Sequence, residues 1–402
     1  MIHVCFGLHD ADGRYSKFVG TTMVSIFENT DSPVTIHILH DATLTDDNRD
    51  KFSRLTEKYN RHLEFHNVEE LCPDELNFLR EKLADKIKTR FSIGTFYRLL
   101  IKKIFGEGKM IYLDSDIIAN LDINELWQQD LQDYPLAAVP EIEATSNFML
   151  KNKFLLNKGI VKMDNYFCAG VAIFNLDKID ERFFYDAIQF LADNPACESN
   201  DQDILNAFFS ENYLKLVQKF DAFVIGERNW RLPLKKKIYH YAGICINLDF
   251  NDVYNRLFFE NFAKTPWFNV EVLAGFGEQF RNEHDVMLLR NQKLMKLCAE
   301  HNRAFFLHPD DVEKAKEIFG IQDDEPIIEI HGKESVKELA LKMRDMCDRR
   351  VFFIFYPNWI LLGSFLAKCG FREYEDFVNG KTFLAREQGG DPPFEYNFIR
   401  NM

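Results

Sequence analysis

The stretch Met110-Ile111-Tyr112-Leu113-Asp114-Ser115-Asp116-Ile117-Ile118 decides how this chain is read. An apolar run leads straight into two carboxylates and then resumes, a poor pattern for a solvated surface. Next, Asp122 with Glu125 three residues on matches a helix N-cap, so a helix is expected to start there and carry Leu126 and Trp127 into the core. The acids then lie between a strand end and a helix start, a rigid place to build a site. Two hard oxygen ligands one residue apart suit a divalent ion that also meets phosphate oxygens, and Mg²⁺ and Mn²⁺ prefer such carboxylates. A lone Asp-x-Asp is more often a solvated turn; its place inside an apolar strand is what raises the functional reading.

Upstream, strand and helix patterns alternate. Ile2 to Gly7 is an apolar run, Ser16 to Asn29 has helical spacing, and Val34 to Leu39 is again strand-like. Thr45 to Tyr59 is an amphipathic helix with Thr45 and Asp46 as capping candidates, and His62 to Val68 closes the series. Repeated strand-helix-strand units imply a parallel sheet covered by helices, with ligands beyond the carboxyl ends of its strands. Where a glycine-rich phosphate loop would sit, the chain reads Gly7-Leu8-His9-Asp10-Ala11-Asp12-Gly13, which supports neither a dinucleotide fold nor an NTPase.

Downstream, Phe167 to Leu176 is strand-like and Asn200 to Phe209 begins polar and becomes a helix. Beyond Trp267 the texture changes. Phe276 to Asn302 is helical, and the strand patterns Ala304 to Leu307, Pro326 to Ile330 and Val351 to Phe355 alternate with helices such as Ser335 to Asp348. The expected organisation is a domain over residues 1–270 and a smaller α/β module over 271–402, as befits a chain longer than the about 250 to 300 residues at which single cores stop growing. The module suggests a small Rossmann-like unit, although Pro357-Asn358-Trp359 stands where a nucleotide-binding glycine cluster would be expected. Its open roles are acceptor recognition, oligomerisation, and docking to a membrane or partner.

The whole chain of 402 residues carries 49 Lys and Arg against 63 Asp and Glu, a net charge of −14 that argues against a nucleic-acid partner. Its hydrophobic fraction of 46% is that of a globular protein. The eight cysteines are scattered without a Cys-x-x-Cys pair, which reads as reduced thiols in a cytoplasmic protein. Met1-Ile2-His3-Val4-Cys5-Phe6 lacks the basic n-region of a signal peptide, so the protein is expected to stay where it is made. Val351 to Ala367 approaches the minimum length for a bilayer helix, but Tyr356-Pro357-Asn358 interrupts it. A buried strand, turn and helix is expected there, with a membrane-surface element as the alternative.

Taken together, the blocks Val4-Cys5-Phe6-Gly7-Leu8-His9-Asp10 with Tyr15, Gly94 to Ile101, Met110 to Ile118, Phe167 to Leu176, Asn200 to Asn206 and His240 to Gly243 resemble glycosyltransferase family 8. This is a family of retaining sugar-nucleotide transferases with the GT-A fold, and the resemblance covers about residues 1–270. It implies a metal-dependent retaining hexosyltransferase that uses UDP-glucose or UDP-galactose and a glycan or glycoprotein acceptor. Asp114, Asp116 and His240 would coordinate Mn²⁺ or Mg²⁺. Gly7, Leu8, Asp10 and Tyr15 would lie by uracil and ribose, with His9 or Asp12 as substitutes for Asp10. Ser115 would join the nucleotide site, and Arg98 would lie near the donor. Asp201 and Gln202 would sit by the transferred sugar, Gln202 near the anomeric carbon. An amide is a weak nucleophile, so front-face substitution is favoured over double displacement.

Two departures stand out. After His240-Tyr241-Ala242-Gly243 the family usually carries a Lys-Pro-Trp segment whose lysine binds the diphosphate, whereas this chain continues Ile244-Cys245-Ile246. Lys235 to Lys237 or Lys264 are the substitutes at hand. Cys168 replaces an asparagine frequent before Ala-Gly. The alternatives are a sugar nucleotidyltransferase, which should have a glycine-rich basic loop, and a non-catalytic UDP-sugar or glycan-binding protein with a decayed site.

Overall fold

The computed structural model describes residues 1–13, 15–87, 92–141, 153–229, 232–243, 246–278, 281, 282, 285, 289, 292, 296, 301–331, 335–346, 350–356 and 359–380. The chain forms two compact units, one on Met1–Asn269 and one on Val270–Glu395.

The first unit opens with β1 (Ile2–Leu8), α1 (Tyr15–Asn29), β2 (Val34–His40), α2 (Asp46–Lys58) and β3 (His62–Asn67). Val4, Phe6, Ile36 and Ile38 are fully buried, as expected of apolar strands covered on both faces. The Thr45 side chain caps α2 by accepting from the Asn48 N–H, and Asp46 and Asp47 oppose the positive end of its dipole. The next strands are β4 (Lys109–Leu113), β5 (Ile117–Ala119), β6 (Leu136–Pro140), β7 (Phe167–Asn175) and β8 (Leu214–Lys215). Among the described residues the main sheet runs β3-β2-β1-β4-β7-β6-β8. The first four of these strands are parallel, and β7 runs antiparallel to both β4 and β6.

β5 leaves this sheet. It pairs antiparallel with β10 (Ile238–His240), which pairs in turn with β9 (Ala222–Phe223). That register sets Ile117 opposite His240, so the residue after the acidic triplet is tied to a histidine more than a hundred positions away. Two helices complete what the site needs: α3 (Asn200–Phe209) and α4 (Val253–Phe262).

The helix expected after Asp122 is a single turn, Asn124–Trp127. Asp122 accepts the Asn124 N–H, and Leu126 is buried. Trp127, however, is only half-buried, beside His3 and with the Lys109 ammonium 5.2 Å from its ring centroid. A one-turn helix has no second turn with which to draw the indole inward.

The second unit is a parallel sheet ordered β12-β11-β13-β14, from β11 (Asn302–Leu307), β12 (Ile327–Glu329), β13 (Arg350–Ile354) and β14 (Phe377–Asn379). Its crossover helices are α5 (Val312–Phe319), α6 (Val336–Asp345) and α7 (Trp359–Lys368). Ser335 and Glu338 form a capping box at the start of α6. Residues 270–278 are helical, while most of the remainder of the helix expected up to Asn302 lies outside the described residues. The apolar run from Val351 divides into β13 and α7, with Pro357 and Asn358 outside the described residues. No described helix is long and apolar enough to cross a membrane.

Candidate active site

The two acids sit where β4 ends and β5 begins, and the backbone there is held from both sides. The Asp114 N–H donates to the Gly170 carbonyl at 2.8 Å, and the Tyr241 N–H donates to the Asp116 carbonyl at 2.9 Å. From α1, the Thr22 hydroxyl donates to the Ser115 and Ile117 carbonyls, and Ser25 Oγ accepts the Ala119 N–H. These hydroxyls are fully buried, so the turn that carries the acids is fixed by the fold rather than by solvent.

Asp114, Asp116 and His240 bring one ligand atom each to within 4.8 Å of one another. His240 Nε2 lies 3.5 Å from Asp116 Oδ1, while Nδ1 lies 2.9 Å from Asp221 Oδ1. Asp221 is wholly buried and begins the turn into β9. Once a cation replaced the Nε2 proton, the proton on Nδ1 would be donated to Asp221 and the Nε2 lone pair would face the acids, the usual outer support for a metal-bound histidine. Burial drives His240 toward neutrality, but Asp221 and Asp116 outweigh it and hold the imidazole well above its ordinary range. Burial and Asp116 raise Asp114 against the pull of Arg98, whereas Asp116, also pushed up by burial, is held low by His240. The site draws positive charge, and two carboxylates with one imidazole form a donor set suited to Mn²⁺ or Mg²⁺.

Space has been left for this convergence. A Cβ added to Gly170 would stand 2.3 Å from His240 Cε1 and 3.1 Å from Asp114 Oδ2. Only a glycine lets β7 pass behind both ligands. Cys168, two residues earlier, turns its Sγ to within 3.7 Å of His240 Nδ1, and burial pushes its thiol strongly up, so it is a neutral wall.

Arg98, in the 3-10 segment Ile93–Leu100, keeps its guanidinium buried inside the molecule. It reaches Asp114 Oδ1 at 2.5 Å, Asp201 Oδ2 at 2.8 Å and the Ala169 carbonyl at 2.7 Å, and lies 4.3 Å from the Tyr112 ring centroid. Arg98 therefore takes one oxygen of Asp114 and leaves Oδ2 on the His240 side. Burial lifts Asp201 to about 6, with Arg98 opposing the rise.

Gln202 follows on α3. Its Oε1 accepts the Ala169 N–H at 3.2 Å, and its Nε2 donates to Glu141 Oε2 at 2.6 Å. Burial raises the Glu141 carboxyl above the ordinary range. Tyr166 donates to Asp203, which also accepts the Ser199 N–H, so Asp203 secures the start of α3 while Asp201 faces Arg98. Sequence reasoning passed over Asp221, Glu141 and Tyr166. The signal that was present for Asp221 is an acid between Phe220 and Ala222, the same apolar setting that marked Asp114.

At the carboxyl end of β1 the expected nucleotide contacts divide. The Leu8 side chain is buried, which leaves its backbone for a ligand. Gly7 packs against the Gly94 carbonyl and Tyr112, and Ser115 contributes the carbonyl already held by Thr22. Tyr15, 43% exposed, starts α1. Asp10 is turned into the fold: it accepts the Tyr15 N–H and contacts from Ser16 and Asn48, so its carboxylate fixes α1 against α2. Asp12 is exposed, and His9 pairs with Asp41 at 2.5 Å. The substitute lysines point elsewhere, with Lys237 on Glu227, Lys236 on Asn29 and Lys264 on Glu28.

The family model described as Glycosyl transferase family 8 matches residues 8–245. A provisionally named glycosyltransferase of Haemophilus influenzae is 30% identical over 247 residues, 59% of this chain and 70% of its own length. The lipopolysaccharide 1,2-glucosyltransferase of Escherichia coli is 24% identical over 301 residues, 72% of this chain and 80% of its own. Among solved structures, the galactosyltransferase LgtC, crystallised with donor and acceptor sugar analogues, superposes with a TM-score of 0.52 at 20% identity. That superposition covers 68% of this chain and 99% of LgtC, and it is a likeness of fold.

Proposed function

The chain belongs to glycosyl transferase family 8 and has the GT-A fold, and from that premise we propose that it moves a hexose, glucose or galactose, from a UDP-sugar to a carbohydrate or glycosylated-protein acceptor with retention of configuration. The observation that carries this reading is the convergence of Asp114, Asp116 and His240 beside the buried Arg98. Residues 1–270 are assigned the catalytic role and residues 271–402 an accessory one.

A divalent cation, Mn²⁺ or Mg²⁺, held by Asp114, Asp116 and His240 would neutralise the donor's diphosphate and stabilise UDP as it leaves. Asp221 keeps the His240 lone pair directed at that position. Arg98 holds Asp114 and Asp201 in place, and Asp201 and Gln202 line the sugar side of the same network. Both ends of the Gln202 amide are hydrogen-bonded, to Ala169 and Glu141, which orients the side chain and leaves it unfit to attack the anomeric carbon. Front-face substitution then fits best, with the leaving phosphate taking the acceptor proton and the protein contributing electrostatic stabilisation.

The test is a screen of UDP-sugars for Mn²⁺-stimulated UDP release. Asp116→Ala is expected to abolish release and its metal dependence while the far-UV circular dichroism is unchanged. Full turnover by that variant would refute the proposal.

A further inference from the structure

The outer strands of the main sheet carry a second convergence of ligand atoms that the transferase reading does not use. Residues two apart on a strand share a face, so in His62-Leu63-Glu64-Phe65-His66 the Glu64 and His66 side chains leave β3 together. The parallel register sets Glu64 beside His37 of β2. His37 Nδ1 lies 3.1 Å from His66 Nε2 and 3.3 Å from Glu64 Oε2, and His66 Nε2 lies 3.6 Å from that oxygen. A tetrahedral cation with bonds of about 2.0 to 2.1 Å spaces its ligands by about 3.4 Å, the size of this triangle. A single proton bridges only one edge of the triangle at a time; a cation serves all three.

We propose that His37, Glu64 and His66 form a second metal site, for a borderline divalent cation of the Zn²⁺ type, with its fourth position open to water at the edge of the sheet. The support around it is that of a metal site. His37 Nε2 lies 2.9 Å from His3 Nδ1 on β1, and donation of that N–H to His3 leaves the Nδ1 lone pair for the cation. Phe105 stands edge-on to both His37 and His66, with ring centroids 5.0 Å away, and walls the inner side. The His37 side chain is 4% exposed and that of Glu64 56%, so the triangle opens outward. Burial holds His3 and His66 below their ordinary range and His37 at about 3, which keeps the imidazoles neutral as ligands. Two imidazoles and one carboxylate favour Zn²⁺ over the Mn²⁺ or Mg²⁺ suited to Asp114, Asp116 and His240, so the two sites sort different ions. A bound ion would tie the edge strand β3 to β2, where hydrogen bonding ends on one side.

Co²⁺ tests this on the full chain, because tetrahedral Co²⁺ absorbs visible light far more strongly than six-coordinate Co²⁺. One equivalent is expected to give the tetrahedral spectrum, unchanged in Asp116→Asn and lost in both His66→Gln and Glu64→Gln. His3→Ala should weaken Co²⁺ binding about 10- to 100-fold. His66→Gln should retain its far-UV circular dichroism and wild-type Mn²⁺-stimulated UDP release, showing that the chain is folded. A tetrahedral spectrum that survives in His66→Gln and Glu64→Gln, or none at saturating Co²⁺ in the wild type, would overturn the site. The spectrum needs no sugar donor, so its outcome is separate from that of the transferase reading.

Discussion

Gly170 and His240 approach so closely that the missing side chain of the one makes room for the ring of the other: a Cβ on Gly170 would stand 2.3 Å from Cε1 and 2.9 Å from Nδ1. The ring has little freedom to yield, because Asp221 fixes Nδ1 and Phe223 lies against its face, with ring centroids 5.0 Å apart. Gly170, Asp221 and Phe223, none of them among the three proposed metal ligands, thus determine where the histidine sits.

Gly170→Ala should therefore act on the site before it acts on the fold. Overpacking of this kind costs about 1 to 3 kcal/mol, and displacing a supported metal ligand weakens metal affinity about 10- to 100-fold. Mn²⁺ titration followed by electron paramagnetic resonance, beside urea denaturation, measures both. Wild-type Mn²⁺ affinity in this variant would show that His240 does not bind the ion.

Arg98→Lys is expected to be far from conservative. One ammonium cannot span Asp114, Asp201 and the Ala169 carbonyl, which the guanidinium reaches at 2.5, 2.8 and 2.7 Å. Leaving buried acids without their partner costs about 3 kcal/mol, visible as a lower denaturation midpoint in urea. Donor turnover should fall with it, since the position of Asp114 depends on that contact. Unchanged stability would mean that the shorter, unforked side chain finds the same partners.

Much of this site was legible because apolar strands betray any acid placed among them. Asp114 and Asp116 stand between Leu113 and Ile117, and the strands on either side fall where the hydrophobic runs end. The union of His240 with the acids came from family resemblance, because the pairing of β5 with β10 leaves no local trace in the sequence. Asp221 carried the apolar-neighbour signal but lacked a second acid to draw notice. Asp10 was misleading for a different reason. Its partners Tyr15, Ser16 and Asn48 lie across a loop and on another helix, so its task in bracing α1 could not be read from helix-cap spacing. Trp127 failed for want of helix length.

The pair His9 and Asp41 gives the protein a stability term with a defined pH range. The hydrogen bond to Asp41 raises His9 above 6.5. Burial pushes Asp41 up, but bonds from His9, Thr43 and Tyr97 outweigh it and hold the acid below 3.8. The His9 contribution is full below pH 6.5 and is lost as pH rises through its folded value. The Asp41 contribution is present above pH 3.8 and is lost as pH falls through its folded value. His9→Gln keeps a neutral donor and removes only the charge, so it should cost about 1 kcal/mol near pH 5.5 and progressively less toward pH 9. Urea denaturation across that range checks it; a cost independent of pH would mean that His9 is neutral throughout.

Gln202→Ala separates sugar positioning from metal binding. The Gln202 amide touches Ala169, Glu141 and Tyr166, and Ala169 lies next to Gly170 behind the metal ligands. Removing it takes one hydrogen bond from the Glu141 carboxylate and loosens the wall on the sugar side, but the Asp114, Asp116 and His240 contacts remain. A misplacement of about 1 Å at a reacting centre can cost about 100-fold in rate, so turnover should fall by about that factor. Mn²⁺ affinity should stay within about twofold, because no ligand or support of a ligand has been removed. Steady-state UDP release gives the first quantity and metal titration the second. Equal losses in both would place Gln202 in the metal's own shell of support, and turnover at the wild-type rate would remove it from the sugar side altogether.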